Sequence, residues 1–93
     1  MDMIQIIGND IKRGGIKIGW IEENHIFDHT GKKVAYFSDK EAFSFSGDKI
    51  AYIEGDYIVF PKNRTKVRIE DNNQFVSGLV SDMCRAAIRF VLG

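Results

Sequence analysis

Three groups of side chains in this sequence have types that perform chemistry. His25, Asp28 and His29 bring two imidazoles and a carboxylate close together, and a His-x-x-x-His spacing on a helix would set both imidazoles on one face around a metal ion. The surrounding residues alternate as in a strand, where positions four apart lie roughly 13 Å from each other, too far to share one ion. A metal site also needs converging ligands with an ordered outer shell, so these residues read as polar side chains near hairpin ends. Neither metal nor cofactor is expected.

Cys84 is the lone cysteine. A reactive thiolate needs a neighbouring base or cation, whereas Cys84 stands in an apolar stretch and reads as a small core residue. Acidic residues collect at turn positions, among them Glu22, Glu23, Asp39, Glu54, Asp56, Glu70 and Asp71, where solubility and turn chemistry account for them. No phosphate-cradling glycine loop, nucleophile elbow or other catalytic signature occurs. The expected role is therefore not enzymatic.

Two binding chemistries remain. Lys62, Arg64, Lys66 and Arg68 form a basic cluster, and Trp20, Tyr36 and Tyr52 could act as stacking platforms for the bases of a single-stranded nucleic acid. Thirteen basic side chains balance thirteen acidic ones, whereas nucleic-acid modules carry a basic excess. The cluster reads better as a solvated stretch guarding a sheet edge. The same three aromatics could instead line a pocket between hairpins or subunits for a sugar or other flat small molecule. Aromatics that recur at a structural period more often pack between units, which leaves the pocket as the alternative.

The elements that must position these residues are repeats. Lys17-Ile18-Gly19-Trp20-Ile21-Glu22 aligns with Lys33-Val34-Ala35-Tyr36-Phe37-Ser38 and Lys49-Ile50-Ala51-Tyr52-Ile53-Glu54 at a spacing of sixteen residues, and a degenerate Lys66-Val67-Arg68-Ile69-Glu70-Asp71 follows after seventeen. Gly15, Gly31 and Gly47 keep the same interval and mark Met3 to Lys12 as a decayed first unit. Each unit places a turn-prone pair (Glu23-Asn24, Asp39-Lys40, Gly55-Asp56, Asn72-Asn73) between two β-rich runs, the pattern of a tight hairpin. The spacing thus predicts an antiparallel meander of about four hairpins over 16–32, 33–48, 49–65 and 66–78, arranged radially or as a plain sheet.

Alternation assigns Ile18, Trp20, Phe27, Val34, Tyr36, Phe43, Phe45, Ile50, Tyr52, Val59, Val67, Ile69 and Val76 to one face, the expected core stripe. The opposite face, with Gly19, Ile21, Ile26, Ala35, Phe37, Ala42, Ala51, Ile53, Ile58 and Phe60, is also apolar, with small residues where something can approach closely. A sheet apolar on both sides must be covered on both. One cover is a helix over 79–92, on which Ser81, Asp82, Arg85 and Arg89 form a narrow polar stripe. The rest of its surface is apolar. Met83, Ala87, Ile88, Phe90 and Val91 are accordingly expected at an interface with other copies, giving a homo-oligomer or a complex with a protein partner.

A chain of 93 residues makes one domain, mainly β with one C-terminal helix. Its single cysteine fits a reducing compartment. The start, Met1-Asp2-Met3-Ile4-Gln5, lacks a signal-peptide pattern, and no run approaches the roughly eighteen apolar residues that cross a bilayer. A cytoplasmic location without membrane partners is expected.

The aromatic following Gly or Ala in Gly19-Trp20, Ala35-Tyr36 and Ala51-Tyr52, with a Gly-Lys or Gly-Asp-Lys turn ahead of each strand, resembles the bacterial four-fold β-flower family over Ile16 to Gly93. The late apolar run Ala86-Ala87-Ile88-Arg89-Phe90-Val91-Leu92 is part of the match. The resemblance implies hairpins radiating about an axis and followed by a hydrophobic C-terminal segment, and it implies no chemistry. Arg68 and Ile69 depart from the small-then-aromatic pattern of the other petals.

Overall fold

The structure is a computed structural model describing residues 3–93. Met1 and Asp2, at the start of the chain, lie outside the described residues. The chain folds as β1 (Ile4–Ile7), β2 (Asp10–Arg13), β3 (Ile16–Glu22), β4 (His25–Asp28), β5 (Lys33–Phe37), β6 (Glu41–Ser44), β7 (Lys49–Glu54), β8 (Tyr57–Phe60), β9 (Thr65–Arg68), a helical turn α1 (Ile69–Asn72), β10 (Val76–Ser77) and α2 (Asp82–Leu92). The strands make one 10-stranded sheet in the order β10-β1-β2-β3-β4-β5-β6-β7-β8-β9. All neighbours pair antiparallel except β10, which returns to lie parallel beside β1. The mainly β meander with its C-terminal helix is the architecture that the repeat predicts, and the decayed first unit forms a hairpin of its own, β1 and β2.

The core lies on the face opposite to the one expected. Ile11, Ile21, Ile26, Ala35, Ala42, Ala51, Ile58 and Phe60 are buried, while Trp20, Phe27, Tyr36, Phe43, Tyr52 and Val59 are half-exposed on the outer side. Helix proximity decides this. α2 packs on β5, β6, β7 and β10, and small side chains let a helix axis approach a sheet where rings would hold it off. Ile18, Val34 and Ile50 also depart from simple alternation. The pairing jumps from Ile11↔Gly19 to Lys12↔Lys17, from Ile26↔Ala35 to Phe27↔Lys33 and from Ala42↔Ala51 to Phe43↔Lys49, leaving those three residues as bulges. Each bulge adds a residue without a cross-strand partner, and all three side chains pack on the core.

The connections repeat as well. In Asp28–Lys32, Asp28 donates its N–H to Lys32 O at 2.9 Å and Gly31 donates to Asp28 O at 3.1 Å. In Ser44–Asp48 the same two bonds recur at 2.8 and 2.9 Å. Gly31 and Gly47 sit at φ 90° and 93°, a region that side chains disfavour.

The fourth hairpin expected at Asn72-Asn73 does not form. Glu70-Asp71-Asn72 has poor strand propensity and winds into α1, with Asn73 N–H donating to Ile69 O at 3.1 Å. Asn72 is fully buried and its Oδ1 accepts from Arg89 at 3.1 Å. Val76 then joins β10 instead of completing a hairpin with Val67 and Ile69.

The C-terminal helix is shorter than 79–92. Ser81 is its N-cap and accepts from Cys84 N–H at 3.1 Å, so α2 begins at Asp82, as expected for a hydroxyl that satisfies a first-turn amide. Leu79 and Val80 precede the helix.

Candidate functional site

Carrying the strand register across the outer face reveals a recurring arrangement that strand-by-strand reading hides. A first rib runs Asp10↔Trp20↔Phe27↔Lys33. A second runs Glu22↔His25↔Tyr36↔Phe43↔Lys49. A third runs Glu41↔Tyr52↔Val59↔Lys66, and a fourth Glu54↔Tyr57↔Arg68. Every rib starts at a carboxylate, passes through rings or a valine, and ends at a cation.

The ribs are fastened both internally and to one another. Trp20 and Phe27 stack with centroids 5.4 Å apart at 6°, and Tyr36 and Phe43 at 5.1 Å and 20°. Lys17 reaches Asp10 at 3.0 Å and lies 5.3 Å from the Trp20 ring centroid. Lys49 does the same with Glu41 (2.7 Å) and Tyr52 (5.6 Å), and Lys66 with Glu54 (3.9 Å) and Tyr57 (4.6 Å). Lys49 and Lys66, which close the second and third ribs, therefore grip the acid and first ring of the next, whereas Lys17 holds the first rib from outside it and Lys33 lies 5.9 Å from the Phe27 ring of its own rib. Exposed ion pairs of this kind contribute about 0–1 kcal/mol each and cation–ring contacts about 0.5–1 kcal/mol, so the stabilisation is distributed over the face.

This arrangement places the ligand candidates. Trp20, Tyr36 and Tyr52 lie on the outer face, engaged with Phe27, Phe43 and Lys49. Neither principal cleft among the described residues is lined by them. His25 sits in the second rib with its ring 6.4 Å from that of Tyr36. Asp28 Oδ1 accepts from the Thr30 hydroxyl at 2.6 Å and from the Thr30 and Lys32 amides at 2.9 and 3.1 Å. The Thr30 hydroxyl, followed by those amides, holds the Asp28 carboxyl below its ordinary pKa. That carboxylate is committed to its own loop, and among the described residues no three His, Cys, Asp or Glu side chains converge to hold a metal.

The basic cluster is largely paired. Lys62 meets Asp48 at 3.2 Å, Lys66 meets Glu54 and Arg68 meets Glu70 at 3.4 Å. The Lys62 ammonium lowers the Asp48 pKa, first by hydrogen bonding and then by its charge. Among the described residues only Arg64 of the four lacks a carboxylate partner; it sits at φ 53° in the turn before β9.

The helix residues expected at a subunit interface are covered by their own chain. Met83, Ala87 and Ile88 are fully buried. Phe90 stacks on Phe60 of β8 at 6.2 Å, and Val91 packs on the core. Arg13 of β2 donates to Leu92 O at 2.9 Å, so β2 and β8 reach the end of a helix that rests on β5, β6, β7 and β10. Cys84 is buried among these residues, and burial pushes its thiol pKa from 9.0 up to about 12.

Two clefts border β9. One of about 440 Å³ is lined by Asp56, Arg68, Ile69, Glu70, Asn73 and Asp82. The other, about 280 Å³, is lined by Phe60, Asn63, Thr65, Val67, Arg89 and Phe90. A separate apolar strip lies at the other end of the strand order. Ile4, Ile6 and Val76 point into the core, which leaves Met3 and Ile7 exposed on the outer side; Phe75 is part-exposed beneath the Arg89 guanidinium, 4.2 Å from its ring centroid, and Leu79 follows fully exposed.

No family model, curated protein or solved structure matches this chain. No helix among the described residues is long and apolar enough to cross a membrane.

Proposed function

We propose that the chain is a non-enzymatic cytoplasmic module that associates with copies of itself through the strip Met3, Ile7, Phe75 and Leu79. One observation carries this reading. These large apolar side chains stay exposed on two paired strands, β1 and β10 with their flanking residues, while the helix is already covered by its own sheet. Contiguous apolar surface of this kind marks association sites, and a two-fold axis through the strip would bury the same residues on both copies. The β-flower resemblance belongs with this reading, supported by hairpins that repeat their bulges and loops at one period.

Sedimentation velocity tests the proposal. The wild-type chain should form a discrete oligomer at roughly 100 μM, within the range of weak specific association. Leu79→Asp and Ile7→Asp, both at exposed sites, should return it to the monomer without changing its circular dichroism. A wild-type chain that stays monomeric at that concentration rules the proposal out.

A further inference from the structure

We propose that the open edge of β9 takes up an extended peptide of another protein, with an apolar side chain in the Phe60, Val67 and Phe90 cleft and a basic side chain beside Asp56. β9 ends the strand order and pairs on one side, with β8. Ile69 N–H donates to Asp56 O at 3.0 Å, which fixes the phase of the ladder. Antiparallel strands alternate between residues that bond across and residues that do not. Val67 and Thr65 therefore point their backbone groups at β8, while the N–H and C=O of Lys66 and the N–H of Arg68 point outward, unpaired. Such a row is a template for strand addition.

The two clefts flank this row and differ in character. The one at Thr65 and Val67 offers the Val67 and Phe90 side chains over the buried Phe60, with Asn63 and Arg89 at its rim. The one at the C-terminal end of β9 is lined by Asp56, Glu70 and Asp82 together with Arg68; Glu70 is paired with Arg68 at 3.4 Å and Asp82 with Arg85 at 3.0 Å, which among the described residues leaves Asp56 as the carboxylate open to a peptide cation. Charge complementarity thus selects a peptide cation at one end, and the rings select an apolar side chain at the other. A second copy of β9 fits poorly, because antiparallel pairing of two such edges would bring Lys66 and Arg68 against their own counterparts. This edge lies at the opposite end of the strand order from β1 and β10, and the two surfaces meet where Arg89, which lines the cleft, covers the Phe75 ring at 4.2 Å.

The test is a titration of the isotopically labelled full chain with a blocked peptide of alternating threonine and valine that carries one terminal lysine, followed by backbone amide resonances. Binding should shift the Lys66 and Arg68 amides. Replacing the peptide lysine by glutamate should weaken binding at least tenfold, and methylating alternate peptide nitrogens should abolish it. Lys66→Pro removes an outward N–H without touching the β8 ladder, a position that tolerates proline; it should keep a cooperative thermal transition, lowered to the same extent as in Lys66→Ala, which also loses the Glu54 and Tyr57 contacts, and it alone should lose the peptide. Asp56→Lys with Glu70→Lys should favour the glutamate peptide. The proposal is overturned by any one of three results: no shift at Lys66 and Arg68 up to on the order of 1 mM peptide, binding that survives Lys66→Pro or nitrogen methylation, or indifference to the lysine-to-glutamate change.

Discussion

Leu92 closes over Gly19: a methyl group at Gly19 would stand 3.1 Å from Leu92 Cδ1 and 2.2 Å from the carbonyl oxygen of Phe27. The first aromatic unit thus uses glycine where the next two use Ala35 and Ala51. The helix end and the β4 backbone together leave no space for a Cβ.

Gly19→Ala should therefore destabilise the fold, although removing a strand glycine ordinarily helps by restricting the unfolded chain. Overpacking that displaces backbone costs typically about 1–3 kcal/mol. Urea denaturation reads this directly, and a midpoint equal to or above wild type would contradict the packing described.

The ribs predict pairwise coupling. A double-mutant cycle of Trp20→Ala and Phe27→Ala should return an interaction of about 0.5–1.5 kcal/mol beyond the separate losses. The Glu41 and Lys49 pair should give less, about 0–1 kcal/mol, falling as salt rises. Strict additivity for Trp20 and Phe27 would mean that the rings do not support one another.

Cys84 should resist alkylation in the native chain and react on unfolding, because a buried neutral thiol is a poor nucleophile. Its elevated folded pKa also sets a sign. Between its ordinary 9.0 and about 12 the thiol ionises in the unfolded chain but not in the folded one, so the folded state binds more protons and stability falls as pH rises through that window. The loss is at most a few kcal/mol, accruing at roughly 1.4 kcal/mol per pH unit crossed. Cys84→Ala should remove the alkaline decline that the thiol causes while lowering stability near neutrality. A wild-type urea midpoint that is flat from about pH 9 to about pH 11 would count against this burial.

The repeat was legible because hairpins joined by short turns leave a local signature, and the units beginning at Lys17, Lys33 and Lys49 all form as expected. The choice of core face was not, because alternation presumes an unbroken pleat. Bulges at Ile18, Val34 and Ile50 bring residues to the core that simple counting assigns beside Trp20, Tyr36 and Tyr52. The end of the meander was also hidden, since Val76 pairs with Ile4, a partner remote in sequence. Ser81, by contrast, carried a readable cap signal for a later helix start. At the candidate surfaces, the recurring lysines announced a pattern, but their hold on the following rib depends on cross-strand register. Which strand carries the open edge is a property of the whole topology.

The parallel junction of β10 with β1 makes the first hairpin hostage to a strand that follows all the others in the chain. Ile4 and Gln5 wait for Val76 and Ser77, so a ribosome that has exposed the strands from β1 to β9 still presents an unfinished flank. Assembly of this sheet is consequently closer to fastening a belt than to stacking identical tiles: until the buckle arrives, β1 presents an unpaired edge of the kind that templates strand addition, and the late strand closes it.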